Sequence, residues 1–225
     1  LGKEITSEHL REIFLKLIDD GVQNINLVTP THFLPSILPA LTPKLPIPII
    51  YNCGGYERVE TLRELEGLVD IYLPDMKYSN ANLAAKLSRA TDYVETAKAA
   101  IQEMYRQVGS AAIEDDIMQH GLIVRHLILP GELDNTLGVL DWFAETFPKA
   151  DVLFSLMSQY TPVGNLAQWP ELQHPVSPAL NDAMYEYLMD SPITDGFYQD
   201  LDAATDDMIP AFDGTGVSAA NPSIQ

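Results

Sequence analysis

Five short, almost unbroken apolar runs, at Asn24–Thr29, Ile47–Asn52, Val69–Leu73, Gly121–Leu129 and Asp151–Met157, alternate along the chain with segments of helical periodicity. A strand that is apolar at nearly every position is buried on both faces, as happens in a parallel sheet covered by the helices that connect its strands. The pattern predicts an α/β fold, either a barrel or a doubly wound sheet. Thr6 caps a first helix whose stripe is Leu10, Ile13, Phe14, Leu17 and Ile18. Ser36–Leu41 is a short helix between prolines, Glu57–Leu68 a charged amphipathic one, and Asn80–Val108 a long helical region. Asp134-Asn135-Thr136 offers caps for a helix through Phe147. From about Gly164 the pattern loosens into a proline-rich stretch with one helix at Ser177–Met189. The expected division is residues 1–163 for the sheet and 164–225 for an extension wrapped over it, with Ser218–Gln225 loose.

At 225 residues the chain can bury one sizeable core. Thirteen Lys plus Arg face 32 Asp plus Glu, and a net charge of −19 repels phosphate backbones and anionic membrane surfaces alike. Nucleic-acid and lipid-surface roles are therefore not expected. A lone cysteine, Cys53, rules out an internal disulfide framework and a Cys-based metal site built from these residues. No apolar run approaches the roughly 20 residues that span a bilayer, and no signal peptide opens the chain. The expected setting is the reducing cytoplasm.

In parallel α/β folds, ligands sit where the carboxyl ends of the strands and their loops converge. Here every run delivers a polar group at that end: Thr29-Pro30-Thr31-His32, Asn52 before Cys53-Gly54-Gly55, Asp75-Met76-Lys77, Arg125-His126, and Ser158-Gln159-Tyr160. Asp75 and Lys77 are two apart, hence on one face of a continuing strand. They either pair with a zwitterionic ligand or with each other. Arg125 lies inside an apolar run and needs a carboxylate or its equivalent. His126 points the other way and reads as structural, His32 as structural or substrate-contacting, and Cys53 as a small buried side chain. Gly54-Gly55 permits a tight turn. Glu114-Asp115-Asp116 and Asp206-Asp207 read as solvated loops. Dinucleotide, phosphate-loop and nucleophile-elbow motifs are absent from the sequence.

The strings Asn24–Phe33 (NINLVTPTHF), Tyr51–Glu57 (YNCGGYE), Val69–Tyr78 (VDIYLPDMKY), Ile123–Gly131 (IVRHLILPG) and Leu156–Pro162 (LMSQYTP) together resemble the radical S-adenosylmethionine (SAM) family. The branch they are most similar to is described as pyruvate formate-lyase activating enzyme-like. Gly196–Gln199 and Phe212–Gly216 resemble the same branch. The resemblance implies a partial (β/α)6 TIM-like barrel, here missing its first strand. It also implies a [4Fe–4S] cluster on a Cys-x3-Cys-x2-Cys motif, and reductive cleavage of SAM to methionine and a 5′-deoxyadenosyl radical that abstracts hydrogen from the substrate. The cysteine motif is absent from these residues. The expectation is therefore the C-terminal portion of a longer parent protein, with the cluster belonging to that parent only and this chain inactive alone. The alternative is a non-catalytic, cluster-less SAM-binding module.

Carried over residue by residue, the resemblance implies that Thr29, Pro30 and Thr31 meet the SAM amino group, in place of the commoner Gly-Gly-Glu. It likewise puts Asp75 and Lys77 against ribose and carboxylate, Arg125 against the carboxylate, and Gln159 against ribose or adenine, with Asn52 facing the same cavity. Implied partners are a glycyl-radical enzyme or a small-molecule substrate, and a reductant such as flavodoxin or ferredoxin. An aldolase-type barrel using Lys77 as a Schiff-base amine is a further reading, open to borohydride trapping. A strand at Asn24–Thr29 with no neighbour on one side would leave backbone groups unpaired, so self-association through that edge, or coverage by the chain's own tail, is expected.

Overall fold

The computed structural model describes residues 4–149 and 151–201. The expectations for Asp206-Asp207, Phe212–Gly216 and Ser218–Gln225 lie outside them. The order is α1 (Ser7–Asp19), β1 (Ile25–Val28), α2 (Leu34–Leu41), β2 (Ile49–Cys53), α3 (Val59–Arg63), β3 (Ile71–Pro74), α4 (Ala81–Ser88), α5 (Tyr93–Val108), β4 (Ala112–Glu114), β5 (Ile117–Leu127), α6 (Leu133–Thr146), β6 (Leu153–Met157), α7 (Pro178–Asp190) and β7 (Gly196–Gln199). Single turns of 3-10 helix stand at Pro30–Phe33 and Pro170–Gln173.

The sheet has seven strands in the order β1-β2-β3-β5-β6-β7, with β4 attached antiparallel to β5 and every other pairing parallel. The order advances in one direction, without the reversal that defines a doubly wound sheet. It is a mixed α/β fold whose sheet is not closed, β1 and β7 each having one strand partner among the described residues.

Alternation along the strands gives the sheet two unlike faces. One packs against helices: Tyr72 donates its hydroxyl to Gln107 of α5 at 2.6 Å, and Phe154 meets Phe143 of α6 with ring centroids 4.7 Å apart. Tyr51, Leu122 and Val124 are wholly buried on that side. Each such side chain contributes about 1.5–3 kcal/mol of transfer free energy. The opposite face carries Val28, Asn52, Arg125 and Met157, all partly or largely exposed, with Val28 at 66%. The strands are thus less evenly buried than their apolar sequences imply.

Several elements differ from expectation for identifiable reasons. The long helical region splits at Arg89, whose left-handed backbone (φ 56°) closes α4, while Asn80 caps it by accepting from the Asn82 and Leu83 amides. The amphipathic segment after Gly55 holds only five helical residues before relaxing into turns. Asp134-Asn135-Thr136 lie inside α6 rather than capping it, and the side chains of Asn135 and Thr136 are used in tertiary hydrogen bonds. Asp115-Asp116, with φ 49° and 65°, are the hairpin turn between β4 and β5. The stretch after Gly164 supplies a seventh strand. Among the described residues no helix is long and apolar enough to cross a membrane.

Candidate functional site

The carboxyl ends of β2, β3 and β5 lie side by side and bring four of the expected residues together. Arg125 donates from Nε to Asp75 Oδ1 at 2.9 Å and from Nη2 to Asn52 Oδ1 at 2.7 Å. Lys77 Nζ donates to Asp75 Oδ2 at 2.7 Å. One carboxylate is bracketed by two cations, an oxygen to each. Asp75 thus meets Arg125's need for a carboxylate, and the Asp75–Lys77 pair is an internal one. The side chains of Arg125 and Asp75 are 24% and 20% exposed, whereas Lys77 is 47% exposed. Arg125 Nη1 makes no hydrogen bond among the described residues, and Lys77 retains N–H groups beyond the one it gives Asp75. The cluster therefore has donors to spare on side chains that are partly exposed.

The loop carrying Asp75 and Lys77 is held from behind. Its backbone continues the sheet, Asp75 N to Cys53 O at 3.0 Å and Met76 N to Arg125 O at 2.8 Å. The Tyr93 hydroxyl accepts from Lys77 N at 2.9 Å and faces the carbonyls of Asp75 and Gly54 at 2.9 and 3.1 Å. Asn135 donates to Lys77 O at 3.0 Å and accepts from Ser79 N at 2.9 Å. His126, wholly buried, stands 2.6 Å from Met76 O and 3.0 Å from Thr136 Oγ1. A carbonyl only accepts, so Nδ1 carries the proton and Nε2 accepts from the threonine. Burial holds this imidazole neutral and pushes its pKa down to about 4. It is structural, as its strand position implied.

The remaining expected residues are placed differently. Thr29 takes a left-handed backbone (φ 51°) and donates its amide to Asn52 O at 2.8 Å, and Pro30 is buried at the start of the following turn. The Thr31 hydroxyl points into a second cluster, donating to Glu57 Oε1 at 2.9 Å and accepting from the Tyr51 hydroxyl at 2.9 Å. Glu57 is 6% exposed, its Oε2 has no hydrogen-bond partner among the described residues, and burial raises its pKa. Gln159 lies beyond β6, its Nε2 2.6 Å from Gln199 Oε1. Cys53 is buried, which pushes its thiol pKa up; His32 is exposed.

Glu57, Tyr93 and Asn135 were not singled out from the sequence. Glu57 stands inside a quoted string, but nothing in its neighbours shows that it turns inward. Tyr93 falls within the long helical region and Asn135 reads as a cap, which is what such a residue does most often.

Replacing Asp75 with alanine leaves Arg125 without its counter-ion in a half-enclosed position, and urea denaturation is expected to show a loss of about 2 kcal/mol. Lys77→Gln removes a more exposed partner and is expected to cost less than about 1 kcal/mol. Equal losses would contradict the inequality of the two pairs.

No family model matches the chain. It is 31% identical over 157 residues to an uncharacterized protein of the archaeon Methanocaldococcus jannaschii, a match that takes in 68% of this chain. The match covers 42% of that relative, less than half of its length.

Proposed function

We propose that this chain is the SAM-receiving part of a radical SAM protein of the pyruvate formate-lyase activating enzyme-like kind, and that its sheet is part of an open (β/α)6 barrel. The observation that carries the reading is the Asn52–Arg125–Asp75–Lys77 cluster at three neighbouring strand ends. Its spare donors suit a carboxylate and its acceptors suit hydroxyl or ammonium hydrogens, the polar groups SAM presents around its sulfonium. The one-directional strand order fits a barrel arc.

The residues present do not fit an iron–sulfur cluster. The sequence holds one cysteine, which is buried, and the described residues include no group of three or more His, Cys, Asp or Glu placed to hold a metal. Cluster ligands and the electron-transfer step are therefore assigned to residues outside this sequence, as are the glycyl-radical or small-molecule substrate and its flavodoxin- or ferredoxin-like reductant.

The test is reductive SAM cleavage by the longest polypeptide that contains these residues, reconstituted with iron and sulfide under dithionite. Methionine and 5′-deoxyadenosine are expected, falling at least 100-fold in Arg125→Met. A preparation shown to carry the cluster that yields neither product overturns the reading. The single buried cysteine favours a second one, a module that binds SAM without cleaving it. Equilibrium dialysis showing SAM retention that depends on Arg125, with no cleavage, would select it.

A further inference from the structure

The strongest feature outside this site is where α7 and β7, the last strand of the sheet among the described residues, form a groove. After Lys149 the sequence contains no lysine or arginine but has eleven aspartates and glutamates. Three of them, Asp182, Glu186 and Asp190, recur every fourth residue along α7 and are all exposed. Like charges at this spacing repel, and Asp190 also opposes the negative end of the helix dipole, with no basic residue in the last turn to offset it. The helix is destabilised by its own surface, a cost that a ligand of opposite charge removes.

Beside this acidic ladder lies apolar surface that the other described residues leave uncovered. Tyr185, Met189, Ile193, Phe197 and Tyr198 line a groove of about 210 Å³, with Met189 64% and Phe197 54% exposed and Asp195 at its rim. The groove floor is ordered: Tyr185 packs on Tyr198 at 4.8 Å between centroids, and the Tyr198 hydroxyl donates to Asn181 Oδ1 at 2.5 Å.

We infer that the α7–β7 groove docks a basic, apolar-bearing segment of a partner protein. Charge selects this occupant. A second copy of this chain brings a net charge of −19, and residues 202–225 bring four further acids and no base, so both are repelled by the ladder. Geometry agrees: four residues of helix rise about 6 Å, close to the roughly 6.7 Å between side chains on one side of an extended strand. Alternate lysines or arginines therefore meet Asp182, Glu186 and Asp190 in turn, while the apolar side chains between them cover Phe197 and Met189. This inference is independent of the proposed SAM site.

The probe is a fluorescein-labelled heptapeptide of alternating lysine and leucine, titrated against the full chain by anisotropy. Saturable binding is expected, weakened at least tenfold by the triple variant Asp182→Asn, Glu186→Gln, Asp190→Asn and about fivefold by Phe197→Ser. All four positions are exposed, so these variants keep the fold. A lysine–serine peptide is expected to bind at least tenfold more weakly. Neutralising three exposed acids of α1, by Glu8→Gln, Glu12→Gln and Asp19→Asn, is expected to change affinity less than twofold. Equal losses from the two triple variants would reduce the effect to the chain's overall charge and overturn the inference, as would absence of binding. Tighter binding of a synthetic 202–225 peptide would overturn it by giving the groove to that segment.

Discussion

Alanine at Gly55 is expected to lower stability by about 3 kcal/mol, while alanine at Gly54, one residue away, is expected to change it by less than about 1 kcal/mol. Gly55 has φ +78°, and a Cβ there would stand 2.1 Å from the Asp75 carbonyl oxygen and 3.2 Å from its carbon. The left-handed backbone costs an L-residue about 1–2 kcal/mol, and relieving contact with a backbone atom requires the loop after β3 to move. That loop cannot move freely, since Asp75 O also faces the Tyr93 hydroxyl at 2.9 Å and Asp75 N is bonded to Cys53 O. A Cβ on Gly54 meets only Lys77 Cε, at an ordinary 3.6 Å. For a chain of this size the Gly55 change corresponds to a drop of about 6–12 °C in Tm. The same variant is expected to widen the Asp75–Arg125 pair, so SAM-dependent readouts should fall with it. Comparable behaviour of the two alanine variants would show that the close approach of the β2 and β3 loops does not hold the site.

The sequence makes the sheet legible because each strand is a compact apolar run and each run ends in a polar residue. Five of the six strands along the main path follow from those runs, and the shared face of Asp75 and Lys77 from their spacing of two. The partnership of Arg125 with Asp75 is half visible: a guanidinium inside an apolar run needs a carboxylate, but which one depends on the register of β3 against β5, where Asp75 bridges Arg125. The supports are invisible for a different reason. Asn135 reaches Lys77 and Ser79 across 58 and 56 residues of sequence, and local capping statistics contain nothing of that contact. Strand β7 escapes notice because Gly196–Gln199 is short and partly exposed, so the pattern that marks the other strands is missing. The Gly54-Gly55 pair reads as a turn in either case; only the backbone shows that the second glycine is the one that cannot be replaced.

Acid is expected to weaken the fold through His126 in a window where the carboxylates contribute little. An unfolded histidine titrates near 6.5, whereas in the fold burial lowers His126 to about 4. Between those values the unfolded chain binds a proton that the native chain refuses, so stability falls as the pH is lowered through this window. The loss is about 2 kcal/mol from pH 7 to 5 and about 3 kcal/mol by pH 4. Glu103, held down to about 2 chiefly by its hydrogen bonds from Arg106, contributes a loss of the same sign only below about 4.5. Glu57 works in the opposite sense: burial raises its folded pKa, so its native state binds more protons and gains as the pH falls through the range just above 4.5. The groups around the imidazole are Met76 O and Thr136 Oγ1, with the charges of Asp75 and Lys77 nearby and opposite in effect, so burial sets the direction. Urea denaturation at pH 7, 6 and 5 is the measurement. His126→Asn, which keeps a donor for Met76 O, is expected to be less stable at pH 7 but to lose most of the pH 7-to-5 slope. A variant retaining the parent slope would place the titration elsewhere. Protonation leaves the Nδ1–H bond to Met76 O in place and removes only the Nε2 acceptor that Thr136 uses, so stability is expected to decline over this range while the loop between Asp75 and Lys77 keeps its His126 contact.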